Sequence, residues 1–179
     1  MSFQSTVVRL LGFGIVGEFF LDGLQSVQPA ILDSTDAANN VFGRAFTVSG
    51  NPEVGGALLA EAGGTGPFAG ILINPKTHIS YGTDAGGPLA PSMVLPNEAG
   101  VELCKGTAGI IVSFAGAAAI GDWVEFVQAT GVLAPLAPEA AASVGSTIIA
   151  GARVERYDLA SGLAVISLTP NATPFTAPA

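Results

Sequence analysis

The sequence is poor in charged residues. Asp, Glu, Lys and Arg make up 11% of its 179 residues, whereas ordinary soluble domains contain about 25%. A surface with so few charges is largely neutral, and a neutral surface costs less to desolvate when it packs against another protein. The composition therefore favours a protein that assembles with others, although abundant Gly and Ala can give an apolar composition for simpler reasons.

Basic residues are the scarcer charged class. The chain has six Lys and Arg against 14 Asp and Glu, which gives a net charge of −8. The basic residues are scattered at Arg9, Arg44, Lys76, Lys105, Arg153 and Arg156. Nucleic-acid binding needs a basic patch that follows the phosphates, and binding to an acidic membrane surface needs a polybasic cluster. We therefore expect no nucleic acid and no membrane as partners.

Residues that commonly carry catalysis are scarce as well. Cys104 is the only cysteine and His78 the only histidine, which excludes an internal disulfide. A Cys104–His78 dyad is possible by count, but Cys104 stands in an apolar stretch, where a cysteine usually serves as a small hydrophobe. Neither G-x-S-x-G nor H-E-x-x-H occurs, so the serine-hydrolase and zinc-protease motifs are missing. We expect no catalytic residues.

A metal site and long apolar segments are also not indicated. Asp33 and Asp36 suggest a cation loop, but the EF-hand spacing is missing, and turns that use Asp and Asn explain both residues equally well.

The most apolar window, 106–121, is too short and too rich in glycine for a transmembrane helix. At the N-terminus, the apolar run stops at Glu18 without a cleavage site, so we expect no signal peptide.

A G-x-G-x-x-G pattern near the start of the chain raises the question of a dinucleotide site. Gly12, Gly14 and Gly17 follow an apolar run, and Asp33 lies about twenty residues further on, as in nucleotide-binding fingerprints. Such a site needs a helix that begins near Gly14 and a repeated alternation of strands and helices. Neither is visible downstream, so we expect no cofactor.

The residues after this pattern favour a hairpin over a helix. Asp22-Gly23 between two apolar runs is a strong hairpin signal, and Pro29 would interrupt a helix. We therefore predict a strand over Ile15–Leu21 that returns over Leu24–Val27. The glycines are then positions of bending or of close backbone approach.

The rest of the chain predicts short strands separated by Gly, Pro and Asn. Strands that recur roughly every 8–12 residues with turn residues between them are typical of an all-β sandwich or barrel. The predicted strands are Val41–Val48, Phe68–Ile73, Thr77–Tyr81, Val101–Cys104, Gly109–Phe114, Trp123–Gln128, Arg153–Tyr157 and Leu163–Leu168. The last two flank a short loop and form a predicted hairpin. Within Trp123–Gln128, Val124 and Phe126 share one face, and Trp123 and Glu125 share the other.

Only two short helical turns are predicted. Ser34 or Thr35 is a candidate cap for a turn that starts at Asp36, and Pro138–Ser143 is the second candidate. We therefore predict an all-β fold with little helix, an antiparallel β-barrel or a jelly-roll-like sandwich. Residues 1–40 form an N-terminal arm with a hairpin, 41–170 the body and 171–179 an extended tail.

Five stretches of the sequence, taken in the order in which they occur, resemble those of a known protein family. They are GFGIVGEFFLDG, AANNVFGRAFTV, FAGILINPKTHISYG, AIGDWVEFVQATGVL and IIAGARVERYDLASGLAVISLT. With these stretches the chain resembles the structural cement, or head-decoration, proteins of tailed bacteriophages. The resemblance implies an all-β minor capsid protein, bound as a homo-oligomer to the outside of an icosahedral capsid, without cofactor or catalysis. None of the stretches is a catalytic motif.

The function predicted from these observations is structural and not enzymatic. We expect the chain to bind the major capsid protein on the outer surface of the virion, after synthesis in the bacterial cytoplasm, and to bridge capsid subunits as a dimer or trimer. Phe13, Phe19 and Phe20 are candidate contacts, because aromatic anchors dominate interfaces. The arm could reach a neighbour by strand addition or fold back into its own barrel. The alternative function is a β-barrel adhesion module of a phage fibre or bacterial surface.

Overall fold

The computed structural model describes residues 14–21, 23–50, 57–74 and 94–170. These residues form nine β-strands and one 3₁₀ turn, and no α-helix occurs among them. The strands are β1 Ser26–Leu32, β2 Ala45–Gly50, β3 Leu58–Ala62, β4 Phe68–Leu72, β5 Gly100–Ser113, β6 Trp123–Val127, β7 Leu133–Leu136, β8 Ser146–Asp158 and β9 Leu163–Leu168. The all-β prediction is confirmed. No helix in the described ranges is long and apolar enough to span a membrane.

Five strands close into a small barrel. They follow the order β1-β3-β2-β4-β5, and β5 pairs back with β1. The β1–β3 pair is parallel and the other pairs are antiparallel. The barrel encloses an apolar cluster that includes Leu32, Phe46, Leu72 and Leu103. Because the barrel is closed, each of the five strands pairs with a neighbour on both sides, and none is a free sheet edge.

The second half of β5 continues into another antiparallel sheet, in the order β5-β9-β8-β6-β7. Its apolar face buries Ile110, Val124, Phe126 and Ile166 in a second core cluster. The strand β5 is long, with 14 residues, and it joins the two halves of the molecule. The barrel and the second sheet therefore share one backbone element.

The strand predictions for Phe68–Ile73, Trp123–Gln128 and the Arg153–Leu168 hairpin match β4, β6 and the β8–β9 pair. Two predicted strands, Val101–Cys104 and Gly109–Phe114, are in fact the two halves of β5. The predicted strands leave residues 105–108 unassigned, but pairing with β1 and β9 carries β5 through them. The predicted strand Thr77–Tyr81 lies outside the described residues.

The helical turns also differ from prediction in detail. The 3₁₀ turn Ala37–Asn39 is capped by Asp36, whose carboxylate accepts a hydrogen bond from the backbone N–H of Ala38 at 3.0 Å. Ser34, the predicted cap, instead donates its hydroxyl to Asn40 Oδ1 at 2.6 Å. Pro138–Ser143 forms a turn and no helix.

The predicted N-terminal hairpin is wrong for the residues that the structure describes. Ile15–Leu21 contains a turn and one bridge, from Phe19 to Ile110 of β5, and Val27 pairs with Cys104 of the same strand. The two segments thus lie one after the other along β5, which offers more backbone partners than an isolated hairpin. Ser26–Leu32 of the predicted arm forms β1 in the barrel wall.

Candidate functional site

The N-terminal segment carries a series of exposed apolar side chains. Eight large hydrophobic residues are exposed in the described part of the chain, and four of them are Ile15, Leu21, Leu24 and Val27. Leu24 is the most exposed of the four, at 97% of its reference area. We call these four residues the N-terminal ridge. Exposed apolar clusters in an otherwise neutral surface mark interaction sites.

Backbone hydrogen bonds fix the ridge beside β5. Gly17 N donates to Ile111 O at 2.8 Å, Ile111 N donates to Glu18 O at 2.8 Å, and Phe20 N donates to Gly109 O at 2.9 Å. Further along, Val27 pairs with Cys104. From Ile111 to Cys104 the ridge follows about 23 Å of strand. It is therefore a surface held in place by a central strand.

Two glycines of the G-x-G-x-x-G pattern make this close approach possible. Gly14 has a φ of +127°, and a Cβ there would lie 2.3 Å from Ile111 Cδ1. Gly17 has a φ of +85°, and its Cβ would lie 2.9 Å from the backbone N of Asn74. No helix begins at Gly14 in the described chain. Gly14 therefore lets the segment pack against β5, and Gly17 lets it pack against Asn74, which follows β4. Gly12 lies outside the described residues.

The predicted aromatic contacts occupy different places. Phe19 is partly buried and packs against the core cluster of the second sheet. The ring of Phe20 lies 5.0 Å from the guanidinium carbon of Arg156, a cation–π distance. Phe13 lies outside the described residues. The structure therefore brings Phe20 next to the ridge residue Leu21 and directs Phe19 into the fold of its own chain.

The other candidate chemical groups have structural roles. Cys104 is fully buried, and burial raises the pKa of its thiol to about 11, so the thiol is protonated at neutral pH. His78 lies outside the described residues. Asp33 accepts a hydrogen bond from Ser49 Oγ at 3.3 Å, while Asp36 caps the 3₁₀ turn. No group of three or more potential metal ligands occurs in the described ranges.

The sequence pattern does not predict the burial of Glu125. The alternation in β6 predicts Val124 and Phe126 on one face, and both are indeed in the core. Glu125 on the other face is buried too, with 4% of its area exposed. Its carboxylate accepts hydrogen bonds from Ser143 N at 2.9 Å and from Ser143 Oγ at 2.6 Å. The loop 137–145 is thereby tied to the sheet.

We expect Glu125→Ala to lower the free energy of unfolding by about 3 kcal/mol, because Ser143 loses a charged acceptor and a cavity forms. Ser143→Ala should cost about 1 kcal/mol, because the backbone N–H still donates. Chemical denaturation measures both. Glu102→Ala on exposed strand surface is the control, with an expected change within about 0.5 kcal/mol. Equal effects of Glu125→Ala and Glu102→Ala would contradict this role.

Comparison with known families identifies the chain. A family model described as structural cement protein (E217 gp24/Pam3 gp6) matches residues 3–169. The chain belongs to this family of phage structural cement proteins. The family resemblance predicted from the sequence is confirmed, and with it a structural role in the phage capsid and a place in the virion.

A solved structure shows that the cement-protein fold is shared. A chain in "The capsid of Myoviridae Phage XM1" aligns with a TM-score of 0.57 and 15% identity, over 94% of this chain and 98% of that chain. At this identity the likeness establishes the fold. A search of curated proteins finds no match. For a cement protein the relevant features are surfaces, and the N-terminal ridge is the first candidate.

Proposed function

We propose that the chain binds the outer surface of an icosahedral phage capsid through the N-terminal ridge and stabilises the shell by bridging major capsid subunits, without catalysing a reaction. The observation that carries this proposal is the exposure of Ile15, Leu21, Leu24 and Val27 in a member of the cement family. Phe13, Phe19 and Phe20 stay as predicted contacts.

The energetics of the ridge suit attachment. Burying a fully exposed leucine contributes about 2 kcal/mol, and Leu24 starts almost fully exposed. A protein that binds only the assembled shell stabilises it by mass action, by an amount that grows with the ratio of its concentration to its dissociation constant. Bridging two capsid subunits with one rigid surface therefore resists their separation.

The charge of the chain supports an external location. With a net charge of −8, the protein is repelled by the phosphates of packaged nucleic acid inside the shell. The low charge density also lowers the desolvation cost of contact with the capsid.

A second set of exposed apolar side chains supports self-association as a dimer or trimer. Ile120, Val144 and Leu159 are each more than two-thirds exposed, and they lie on loops of the second sheet, apart from the ridge in sequence. The N-terminal ridge can then contact the capsid while the second set contacts another copy of the chain. Native mass spectrometry should detect dimers or trimers. Monomers alone, both in solution and in density on the capsid, would overturn this part of the proposal.

The ridge is tested by Leu24→Glu. The side chain is exposed, so thermal unfolding should not change, whereas co-sedimentation with undecorated capsids should weaken about 30-fold, the equivalent of 2 kcal/mol. Val94→Glu is the matched control, because it adds the same charge at an exposed apolar residue that belongs to neither apolar set. If the wild-type chain does not sediment with capsids, the proposed function fails. If Leu24→Glu binds like the wild type, attachment lies elsewhere on the protein.

A further inference from the structure

A cleft opens where β5 leaves its partner β4 and joins β9. The β4 pairing with β5 ends at Cys104, and the β9 pairing begins at Thr107. Between them lies a cavity of about 390 Å³. Its lining includes Pro67, Phe68, Lys105, Ile148, Ile149 and Leu168. The cleft is therefore at the junction of the barrel and the second sheet. Its residue Lys105 follows Cys104, the pairing partner of the ridge residue Val27.

Among the residues that the structure describes, one wall of the cleft is a strand edge with no partner on one side. The first residues of β8, Ser146–Ile148, pair with β6 on one side. On the other side, the pairing of β8 with β9 begins only at Ala152. Within the described residues, no strand pairs with this side of β8 over 146–150, and Thr147–Ala150 line the cleft. Backbone N–H and C=O groups on such an edge accept an extended peptide by strand addition.

The cleft also has a single charge. Lys105 is the only charged residue among the described residues of its lining, in a chain with six Lys and Arg. It lies at a register shift, because Ser26 pairs with Gly106 while Val27 pairs with Cys104. A bulge of this kind redirects a side chain out of the regular alternation. An ammonium group beside an apolar cleft favours a segment that carries a carboxylate.

We propose that this cleft binds an extended segment of a neighbouring capsid polypeptide, which pairs with the β8 edge at 146–150 and places an Asp, Glu or C-terminal carboxylate against Lys105. This inference rests on the proposed function. The lining argues for a peptide over a small ligand, because a small-ligand site uses several convergent polar groups. Among the described lining residues, Lys105 is the only charged one, and the other polar groups are the hydroxyls of Thr147 and Thr169 and the backbone edge of β8.

The test uses the full-length chain and undecorated capsids in a co-sedimentation titration. Lys105→Gln removes the charge and should weaken capsid binding about tenfold, whereas Lys105→Arg keeps the charge and should bind like the wild type. Ala150→Phe places a large side chain in the cleft and should weaken binding at least as much. Ala115→Phe is the matched control, because Ala115 lines a different cavity, near Phe42 and Leu133. Thermal unfolding of each variant verifies that it is folded.

A density map of decorated capsids gives the second readout. A capsid strand beside Ser146–Ala150 supports the inference. An empty cleft, or one filled by a second copy or by residues 171–179 of this chain, overturns it. Wild-type binding by Lys105→Gln and Ala150→Phe also overturns it, while leaving the proposed function intact. If the wild-type chain fails to bind capsids, both proposals fail together.

Discussion

Replacing Gly131 with alanine should lower the free energy of unfolding by about 3 kcal/mol. Gly131 has a φ of +70°, a conformation that costs energy for a residue with a side chain. A Cβ at this position would lie 2.3 Å from Ala45 O and 2.9 Å from the backbone N of Gly63. Since these contacts are backbone atoms, no flexible side chain can move away to relieve the clash.

The expected loss is large because Gly131 lies where the barrel meets the second sheet. Ala45 N donates to Gly131 O at 2.9 Å, and Gly63 N donates to Ala45 O at 2.9 Å. Gly64 N donates to Gln128 O at 2.6 Å. The turn after β3 and the turn after β6 thus share one hydrogen-bonded junction. A shift of the turn at Gly131 would disturb several of these bonds.

Gly145 is a matched control that separates the cost of the positive φ from the cost of the close contacts at Gly131. Gly145 also has a positive φ, +77°, but no atom lies within 4 Å of its Cβ position. Gly145→Ala should therefore cost only the conformational penalty, about 1 kcal/mol. Chemical denaturation of both variants measures the difference. Equal losses would show that the conformation, and not the close contact with Ala45 and Gly63, determines the effect.

The elements that the sequence predicts well are those with local signals. The β8–β9 hairpin follows from the loop Asp158–Gly162, where Ser161 Oγ donates to Asp158 at 2.5 Å. This bond, and backbone bonds from Ser161 and Ala160, hold the pKa of Asp158 below its ordinary value. Hydrogen bonds within a few residues are encoded in the residues themselves. The hairpin is thus predictable without knowledge of the remaining fold.

The elements that the sequence does not predict depend on distant partners. β7 contains Pro135, which argues against a strand by composition, yet β7 lies at the edge of the sheet, where proline is tolerated. Glu125 is buried because Ser143 and its loop cover it, and that loop lies 18 residues along the chain. The path of Ile15–Leu21 is likewise set by β5, about 90 residues further on. Local pattern carries no information on these contacts.

The N-terminal ridge could be anticipated only in part. The sequence indicates aromatic anchors in the first forty residues, and the structure packs the partly buried Phe19 against the core cluster of the second sheet. The exposed residues are instead Ile15, Leu21, Leu24 and Val27. Phe19 and Phe20 are adjacent, and which of two adjacent side chains faces the core depends on the register with β5. That register is fixed by the bridge from Phe19 to Ile110.

Deletion of residues 2–32 should abolish cooperative unfolding. The deleted segment contains β1, which pairs with β3 on one side and with β5 on the other. Its loss would open the barrel, expose two strand edges and remove the buried side chains Ala30 and Leu32. Circular dichroism during heating should show no cooperative transition.

A milder substitution makes this expectation quantitative. Leu32 is fully buried, so Leu32→Ala should cost about 3 kcal/mol and leave a folded protein with a lower melting temperature. Leu24→Glu, in the same segment but exposed, should leave the melting temperature unchanged. A chain without residues 2–32 that still unfolds cooperatively near the wild-type temperature would show instead that the first forty residues are a separable arm and that 41–170 folds alone. In that case the barrel would have to close through β3 and β5 directly, a pairing that the structure does not contain within the residues it describes.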